Sequence, residues 1–445
     1  MHKATTKALI FLAFCIWSAY EALCGLWQVA GLGLSGNARF AMTGNFLNPG
    51  PFGGFLAISM GVTGSYIIKY WKRNRGLYRK VMLATASIAF CLSFIVFPAT
   101  LSRTAWVALG IALVSSIFQE RRARQWVESH RWTAVIAAVV AVLLCVGAFF
   151  LKKDSAIGRF HIWRIECLAI RDNPFGTGPG TILGTYGKTQ ERFFRDNLDT
   201  VPAKVVEVAG CPEYAFNEYL HVGIEYGIAG MLVFIAIIAT ATVILFRHDS
   251  IWSGGLVAWA VFAFGSYPLS TQRIDILLGI LLAEAAICCS LPESIRCTVA
   301  AACIACGVLL CVEAGKTPEF RSIYEKGYGE FLSGEYEKSI RTLSEGTDIS
   351  CDPLFHVIIG RNHEALGQVR DAEEEYFIAR YMVPCRIYPL VRLARLYVRT
   401  GRDEDALECA ILASRMPVNE KHLSMVRLGD EIKATRDSLI LVLQK

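Results

Sequence analysis

Charged side chains are scarce before position 319 of this chain, which has 445 residues in all. The segment 1–318 contains 27 Lys and Arg and 18 Asp and Glu, whereas the shorter segment 319–445 contains 18 and 21. Over the whole chain 19% of residues are charged, against about 25% in typical soluble domains. The scarcity excludes a single soluble globule and a disordered chain. It predicts a membrane domain over 1–318 followed by a soluble domain over 319–445.

Cysteine pairs with the spacing of a metal site or a disulfide scaffold are also lacking. Most of the 15 Cys lie in apolar runs, where a thiol behaves as a small hydrophobic group, and no CxxC pair faces a second one. The first apolar run has no small-residue cleavage site and therefore predicts a retained membrane helix. Basic residues occur in short runs between apolar segments, a pattern typical of membrane topology. We expect no metal, no cofactor and no nucleic-acid partner.

Long apolar segments are what the first part contains instead. Nine runs approach the length that spans a bilayer, near residues 7–24, 52–68, 81–98, 104–118, 132–150, 229–246, 251–267, 274–290 and 297–313. They predict an all-α fold, a polytopic membrane helix bundle of about nine spans. The segment 69–80 contains six positive charges and no acid. Because basic loops stay in the cytoplasm, we expect the N-terminus there and the loop 151–217 and the C-terminal domain on the opposite side.

The soluble part contains an internal repeat. Gly334, Gly367 and Gly401 recur at nearly equal intervals, of 33 and then 34. A small residue follows each glycine after five positions, at Ser339, Ala372 and Ala406. A period of 34 is typical of tetratricopeptide repeats, which are pairs of helices. Three such units predict a small helical solenoid over 319–445 with a concave binding face. An unrelated helical domain is the alternative.

Three stretches on the side opposite the cytoplasm contain candidate functional residues. The first, TGNFLNPGPFGG at 43–54, includes Asn48, and a tight turn before the second span explains it without chemistry. The second is Arg103 at the edge of the fourth span, where an arginine is costly unless it snorkels or meets an anion. The third contains Arg159 and Arg164, whose guanidinium groups suit phosphate. An ordinary solvated helix is the alternative for this third stretch.

A fourth stretch, at 215–230, contains His221 and Glu225. The two residues are four positions apart and would share one face of a helix as it begins the next span. A His-Glu pair at a membrane surface has the chemistry for proton transfer. A polar turn at the start of a span is the alternative and is the commoner case.

Taken in order, these stretches resemble the O-antigen ligase and polymerase superfamily of bacterial inner-membrane glycosyltransferases. The shared pattern begins with TGxFxNPxxF and SR and continues through GRxxxW, NPxGxGPG and YGKTQ to NEYLxxxxExGxxG, over about residues 26–290. A tetratricopeptide tail is a known companion of such proteins. The resemblance implies a multi-pass protein of the bacterial inner membrane, with 151–217 and 319–445 in the periplasm.

The resemblance also implies an activity. Such proteins look like metal-independent transferases that move an oligo- or polysaccharide from undecaprenyl diphosphate to a hydroxyl of lipid A core, a glycan or a protein. Carried over by motif, Arg103 and Arg159 are expected to bind the diphosphate and stabilise it as the leaving group. The expected partners also include membrane lipid and a protein bound by the tail. The further site residues are His221 as a catalytic group and, for substrate binding, Arg164, Asn217, Glu218 and Asn48.

One position departs from the family pattern. The family has His-Asn, nine residues and then GxxG, whereas here Phe216 precedes Asn217 and the GIAG segment at 227–230. A phenyl ring is not a base. Another group takes the role, or the chemistry differs, or the chain is inactive. The candidate replacements are His221, Glu218 and Glu213.

Two rival functions remain open at this point. One is an inactive membrane scaffold that acts through its tetratricopeptide domain, which the loss of the family histidine at Phe216 favours. The other is a transporter or flippase, which is expected to place charged or broken helices at the bilayer midplane. Only Glu284, inside the eighth apolar run, fits the second description.

Overall fold

The computed structural model describes residues 2–71, 76–133, 153–315, 319–416 and 423–444. These residues form helices, turns and loops, with no strand among them, so the prediction of an all-α chain is confirmed for this part. They divide into two compact units. The first unit comprises the described residues within 1–153, 216–219 and 231–316, and the second those within 154–215, 220–230 and 317–445.

Helices account for most of the described residues. In chain order they are α1 (His2–Val29), α2 (Pro49–Tyr70), α3 (Leu77–Val96), α4 (Arg103–Gln119), α5 (Arg121–Ser129), α6 (Lys153–Asp172), α7 (Ile182–Asn197), α8 (Ala203–Val208), α9 (Glu218–Arg247), α10 (Ser253–Ala263), α11 (Gln272–Cys288), α12 (Glu293–Ala314), α13 (Glu319–Leu332), α14 (Tyr336–Thr347), α15 (Leu354–Ala365), α16 (Val369–Met382), α17 (Ile387–Arg399), α18 (Asp403–Ser414) and α19 (Leu423–Leu443). Short 3-10 helices, Phe97–Thr100 and Pro268–Ser270, precede α4 and α11.

Several of these helices suit a membrane. Five within the described residues are long and apolar enough to cross one: Lys7–Val29, Pro49–Tyr70, Leu77–Thr100, Glu218–Arg247 and the helix that begins at Glu293. The helices α4 and α10 are apolar but shorter, at 17 and 11 residues. The chain is therefore a membrane protein by the length and composition of its helices. The run predicted at 132–150 lies almost entirely outside the described residues, and the count of about nine spans stays a prediction.

The helix α2 lies at the centre of the first unit. Its residues 51–66 are all buried, and its glycines let neighbouring helices come close. A side chain at Gly61 would meet the carbonyl oxygen of Gly254 in α10 at 2.6 Å. Small residues at helix contacts are typical of membrane bundles. There the helices associate through close van der Waals packing, because the hydrophobic effect does not bring them together in lipid. This packing fixes the start of α2, where the first candidate motif lies.

The carboxylate of Glu284 has a partner in the first unit. Its Oε1 lies 3.2 Å from Lys7 Nζ of α1. An ionisable residue within an apolar helix is usually paired or functional. The ion pair gives Glu284 a partner in α1, and the transporter alternative stays untested.

The segment predicted as the long loop 151–217 is largely helical, because it contains α6, α7 and α8. It packs against tail helices within the second unit. The side chain of Gln190 in α7 donates to Met382 O at the end of α16, at 2.6 Å. Arg195 of α7 forms an ion pair with Glu374 of α16 at 2.9 Å. The segment is therefore part of a folded body and not a tether.

A disulfide ties the same two parts of the second unit together. Cys211 is bonded to Cys351, 140 residues further along the chain, with their Cα atoms 5.5 Å apart. The cysteine pattern did not indicate this bond, since neither residue belongs to a paired motif. Disulfides in general persist mainly in oxidising compartments.

The tail forms three successive helix pairs, α13–α14, α15–α16 and α17–α18, followed by α19. The first helix of each pair ends just before one of the repeat glycines, Gly334, Gly367 and Gly401, whose φ angles are 79°, 74° and 71°. Glycine suits this left-handed position because it has no Cβ. The repeat thus corresponds to helix pairs with a common turn. The tetratricopeptide assignment stays a prediction.

Candidate active site

Arg103 is the first residue of α4 and follows a tight turn in the first unit. Leu101, within this turn, has a φ of 49°. Gly53 of α2 packs against the turn, since a side chain there would meet the Cβ of Ser102 at 2.8 Å. The glycines of the first motif therefore allow α2 to approach the serine–arginine motif. The approach fixes the position at which the half-buried Arg103 begins its helix.

Asn48 caps α2. Its Oδ1 accepts a hydrogen bond from Gly50 N at 2.8 Å, and Pro49 occupies the first helical position. Both features are typical of helix starts, where backbone N–H groups lack partners. The structure gives Asn48 a capping role, and its contact with substrate stays a prediction.

An ion pair that the sequence patterns do not predict holds the segment before Asn48. The Glu21 carboxylate in α1 is 1% exposed and lies 2.9 Å from Arg273 Nε in α11. Arg273 also donates through Nη1 to Asn45 O at 2.6 Å. Two sequence signals were available, because Glu21 is an acid within an apolar run and Arg273 is a cation at the end of another. Their partnership joins distant parts of the chain and was not readable from the sequence.

The residues at the departure from the family pattern are largely buried in the first unit. Phe216 has a φ of 55°, and its ring meets the edge of Tyr267 with centroids 5.3 Å apart. Asn217 is 3% exposed, and its Oδ1 accepts from Tyr219 N at 3.0 Å. Glu218 is 1% exposed, and its Oε1 accepts from the backbone N–H of Leu269 at 2.8 Å. Asn217 and Glu218 thus fix the start of α9.

The helix α9 is broken at Gly227, where φ is 73° and ψ is −178°. The Gly/Pro motif of the second unit closes this break through backbone hydrogen bonds. Thr177 N donates to Ile224 O at 2.9 Å, and Ile228 N donates to Pro174 O at 2.9 Å. A side chain at Gly227 would meet Pro174 O at 2.5 Å. The motifs NPxGxGPG and ExGxxG therefore form one structural element, although they are far apart in the sequence.

His221 and Glu225 meet on one face of α9 just before the break. The His221 Nε2 lies 3.3 Å from Glu225 Oε1, and the same oxygen accepts from Gly180 N at 2.8 Å. The side chains of His221 and Glu225 are 24% and 9% exposed. A carboxylate at one imidazole nitrogen orients the ring. The arrangement suits a base that takes a proton at a surface.

Arg159 and Arg164 lie on α6 in the second unit. Arg159 is half-buried, whereas Arg164 is exposed and holds its guanidinium 4.7 Å from the centre of the Phe193 ring. A guanidinium over an aromatic face is oriented but stays charged. Both arginines therefore lie on α6, a helix that buried contacts hold in position.

A buried network anchors α6. His161 is 4% exposed, and its Nε2 lies 2.9 Å from Gln190 Oε1, which also accepts from Tyr186 OH at 2.6 Å. Gln190 Nε2 donates to Gly210 O at 3.0 Å and to Met382 O. Because Gln190 Oε1 only accepts, His161 Nε2 carries the proton. Burial lowers the pKa of His161, and the nearby positive charge of Arg164 acts in the same direction. The YGKTQ motif thus has a structural role, since its Tyr186 and Gln190 hold α6 in place.

The predicted site residues fall in both units. Within the described residues no group of three or more His, Cys, Asp or Glu side chains has the arrangement of a metal site. The first unit contains Arg103, Asn48, Asn217 and Glu218, and the second contains Arg159, Arg164 and His221.

A comparison with protein families identifies one of the motif-bearing regions. Residues 88–235 match the family model described as O-Antigen ligase. The match covers about a third of the chain and supports a place in the O-antigen ligase superfamily. It supports a membrane function in glycan transfer in general terms. No curated protein matches the chain.

Solved structures with local similarity come from bacterial secretion systems. The type III secretion chaperone SycD of Yersinia enterocolitica, in complex with a peptide of the translocator YopD, is 17% identical over 28% of this chain and 95% of that chain, with a TM-score of 0.26. SycD without that peptide is 16% identical over 31% and 95%, with a TM-score of 0.28. A type III secretion complex from Aeromonas hydrophila is 15% identical over 30% and 88%, with a TM-score of 0.27. These low scores carry no argument about fold or binding.

Proposed function

We propose that this protein transfers a glycan from a polyprenyl diphosphate to an acceptor hydroxyl on the periplasmic face of the bacterial inner membrane. The observation that carries the proposal is the O-Antigen ligase match at 88–235, which includes both candidate arginines and the His221 region. The disulfide between Cys211 and Cys351 supports the periplasmic side, because such bonds persist in oxidising compartments. The acceptor is a hydroxyl of lipid A core, a glycan or a protein.

The reaction exchanges one bond for another. The acceptor oxygen attacks the anomeric carbon of the donor sugar, and the bond from that carbon to the diphosphate oxygen breaks. The diphosphate leaves with the electron pair, and the acceptor proton passes to a base. Arg103 and Arg159 would stabilise the growing negative charge on the leaving group, since guanidinium groups stay charged and donate two parallel hydrogen bonds. Arg164, Asn48, Asn217 and Glu218 are proposed to support substrate binding.

His221 is the proposed base in place of the missing family histidine. It remains partly exposed, and Glu225 lies at its Nε2. Glu218 is less suited because its carboxylate is buried and accepts a hydrogen bond from Leu269 N. Glu213 is exposed to solvent, and the described contacts give it no orienting side chain comparable to Glu225 at His221. A base must reach the proton it takes, and only a partly exposed group with an orienting partner satisfies both needs.

The experiment is complementation of a strain that lacks the gene. Arg103→Ala and Arg159→Ala are expected to abolish the surface polysaccharide or glycoprotein ladder that the wild type restores. Arg171→Ala is the matched control, because Arg171 is an exposed cation on α6 that pairs only with the adjacent Asp172 at 3.0 Å in the described contacts. Ladders of wild-type intensity from both arginine variants would contradict the proposal.

Removal of the tail is a poor test of acceptor choice. The disulfide from Cys211 to Cys351 and the bond from Gln190 to Met382 join the tail to α6 and α7 within the second unit. Deleting 319–445 would therefore expose the core around Gln190. Substitutions of exposed tail residues keep this core and test the proposed partner surface directly.

A scaffold without catalysis is the second candidate, and Phe216 favours it. In that case the tail would act by binding a partner, and the arginines would be structural. The same complementation separates the two functions. A scaffold restores the ladder when His221 and both arginines are replaced, provided that the protein is still made.

A further inference from the structure

An exposed apolar surface surrounds the break in α9. Phe175 is 95% exposed, Tyr226 is 55% exposed and Ile228 is 42% exposed, and Pro174 is exposed as well. They are neighbours because Ile228 N donates to Pro174 O, and because a side chain at Gly227 would lie 2.8 Å from the Cα of Phe175. We call these four residues, all in the second unit, the apolar edge. A contiguous apolar patch on the surface, unlike a single exposed residue, is typical of a protein or membrane interaction site.

The apolar edge is held in place by its backbone. Thr177 N and Gly178 N donate to Ile224 O and Glu225 O at 2.9 and 3.0 Å, which are carbonyl groups that the helix break leaves open. Gly176 has a φ of 90°, and a side chain there would meet Glu225 O at 2.5 Å. The loop therefore presents Phe175 from a fixed position, so that its exposure is a property of the fold.

The length of α9 indicates what covers the edge. Its 30 residues would extend about 45 Å, which is more than the roughly 30 Å hydrocarbon core of a bilayer. The segment 228–247 alone extends about 30 Å and has no charge before Arg247, whereas the part before the break contains Glu218, His221 and Glu225. From this length and charge distribution we expect the boundary of the hydrocarbon at the break, which is where the apolar edge lies.

We propose that the apolar edge inserts into the boundary between headgroups and acyl chains of the adjacent leaflet, with phospholipid as its partner. Tyr and other aromatic side chains are enriched at this depth, where one end of the ring meets water. Glu225 and His221 precede the break by two and six residues, and they then lie on the headgroup side of this boundary. This consequence for the base rests on the proposed function, whereas the insertion of the edge does not.

The test measures the depth of position 175 without any glycan donor. Phe175 is replaced by 4-trifluoromethylphenylalanine through amber suppression, and the full-length protein is placed in nanodiscs of palmitoyl-oleoyl phosphatidylethanolamine and phosphatidylglycerol. The single fluorine signal is recorded with lipid that carries a nitroxide high on its acyl chain, and separately with a water-soluble gadolinium chelate. Loss of the signal with the spin-labelled lipid and its retention with the chelate are expected.

A control position is Val398, which is 44% exposed near the end of α17 in the tail. The same label there should be lost with the chelate and kept with the labelled lipid. Persistence of the fluorine signal at position 175 in the presence of labelled lipid would overturn the proposal. The apolar edge would then be expected to bind a protein partner instead. Since no donor is present, an inactive enzyme gives the same depth, and the two proposals fail independently.

Discussion

Replacing Gln190 by leucine should strongly destabilise the second unit. The side chain connects four groups, namely His161 Nε2, Tyr186 OH, Gly210 O and Met382 O. Leucine is similar in size but bonds none of them. Each lost bond at a buried group costs about 1 kcal/mol or more, so the expected loss is about 4 kcal/mol. Tyr186→Phe removes only one bond and should cost about 1 kcal/mol.

The assay is amide hydrogen exchange of α7, which reports the opening free energy of that helix. Gln368→Leu is the matched control, since Gln368 is exposed in the same unit and should change the opening free energy little. In the Gln190→Leu background, Tyr186→Phe should cost almost nothing, because the hydroxyl has already lost its acceptor. Additive costs for the two substitutions would refute the network, as would a Gln190→Leu loss no larger than that of Tyr186→Phe.

Two further predictions concern the second unit. Wild-type protein purified without reductant should migrate faster on a denaturing gel than the Cys211→Ser and Cys351→Ser double variant, and reductant should abolish the difference. Equal mobility without reductant would contradict the bond and would remove its support for the periplasmic side. Burial lowers the pKa of His161 below its ordinary 6.5, so the unfolded state binds the extra proton and stability is lost as pH falls below 6.5. The thermal midpoint should therefore drop in this range, and less in His161→Gln than in the wild type; an equal drop in both would show that His161 is not responsible.

Local patterns in the sequence predicted the local structure. The repeat glycines, of which Gly334 is the first, mark helix ends because each turn needs a left-handed residue. The pairing of His221 with Glu225 follows from their spacing of four on a helix. Apolar runs indicated the long helices, and the break at Gly227 lies just before the run predicted at 229–246. These features depend on neighbours in the chain and are readable without the fold.

Partnerships between distant segments were not predictable in the same way. Gln190 bonds to Met382, 192 residues away, and Glu21 pairs with Arg273, 252 residues away. No periodic pattern or motif in the sequence marks either pair, because each contact depends on which helices the fold brings together. The Gly/Pro cluster and the charges of segment 151–217 indicate a loop, whereas α6 and α7 form there because they pack within the second unit.

The most direct test of the central claim is transfer by the purified protein. The full chain in nanodiscs is supplied with undecaprenyl-diphosphate-linked glycan and a candidate hydroxyl acceptor, with Arg103→Ala, Arg159→Ala and Arg171→Ala prepared alongside. Wild type and Arg171→Ala are expected to release undecaprenyl diphosphate together with glycosylated acceptor, and the other two variants are expected to lose this activity. Equal transfer by Arg103→Ala, Arg159→Ala and wild type would contradict the proposed function, as would a wild type that leaves the donor intact with lipid A core, glycan and protein acceptors alike.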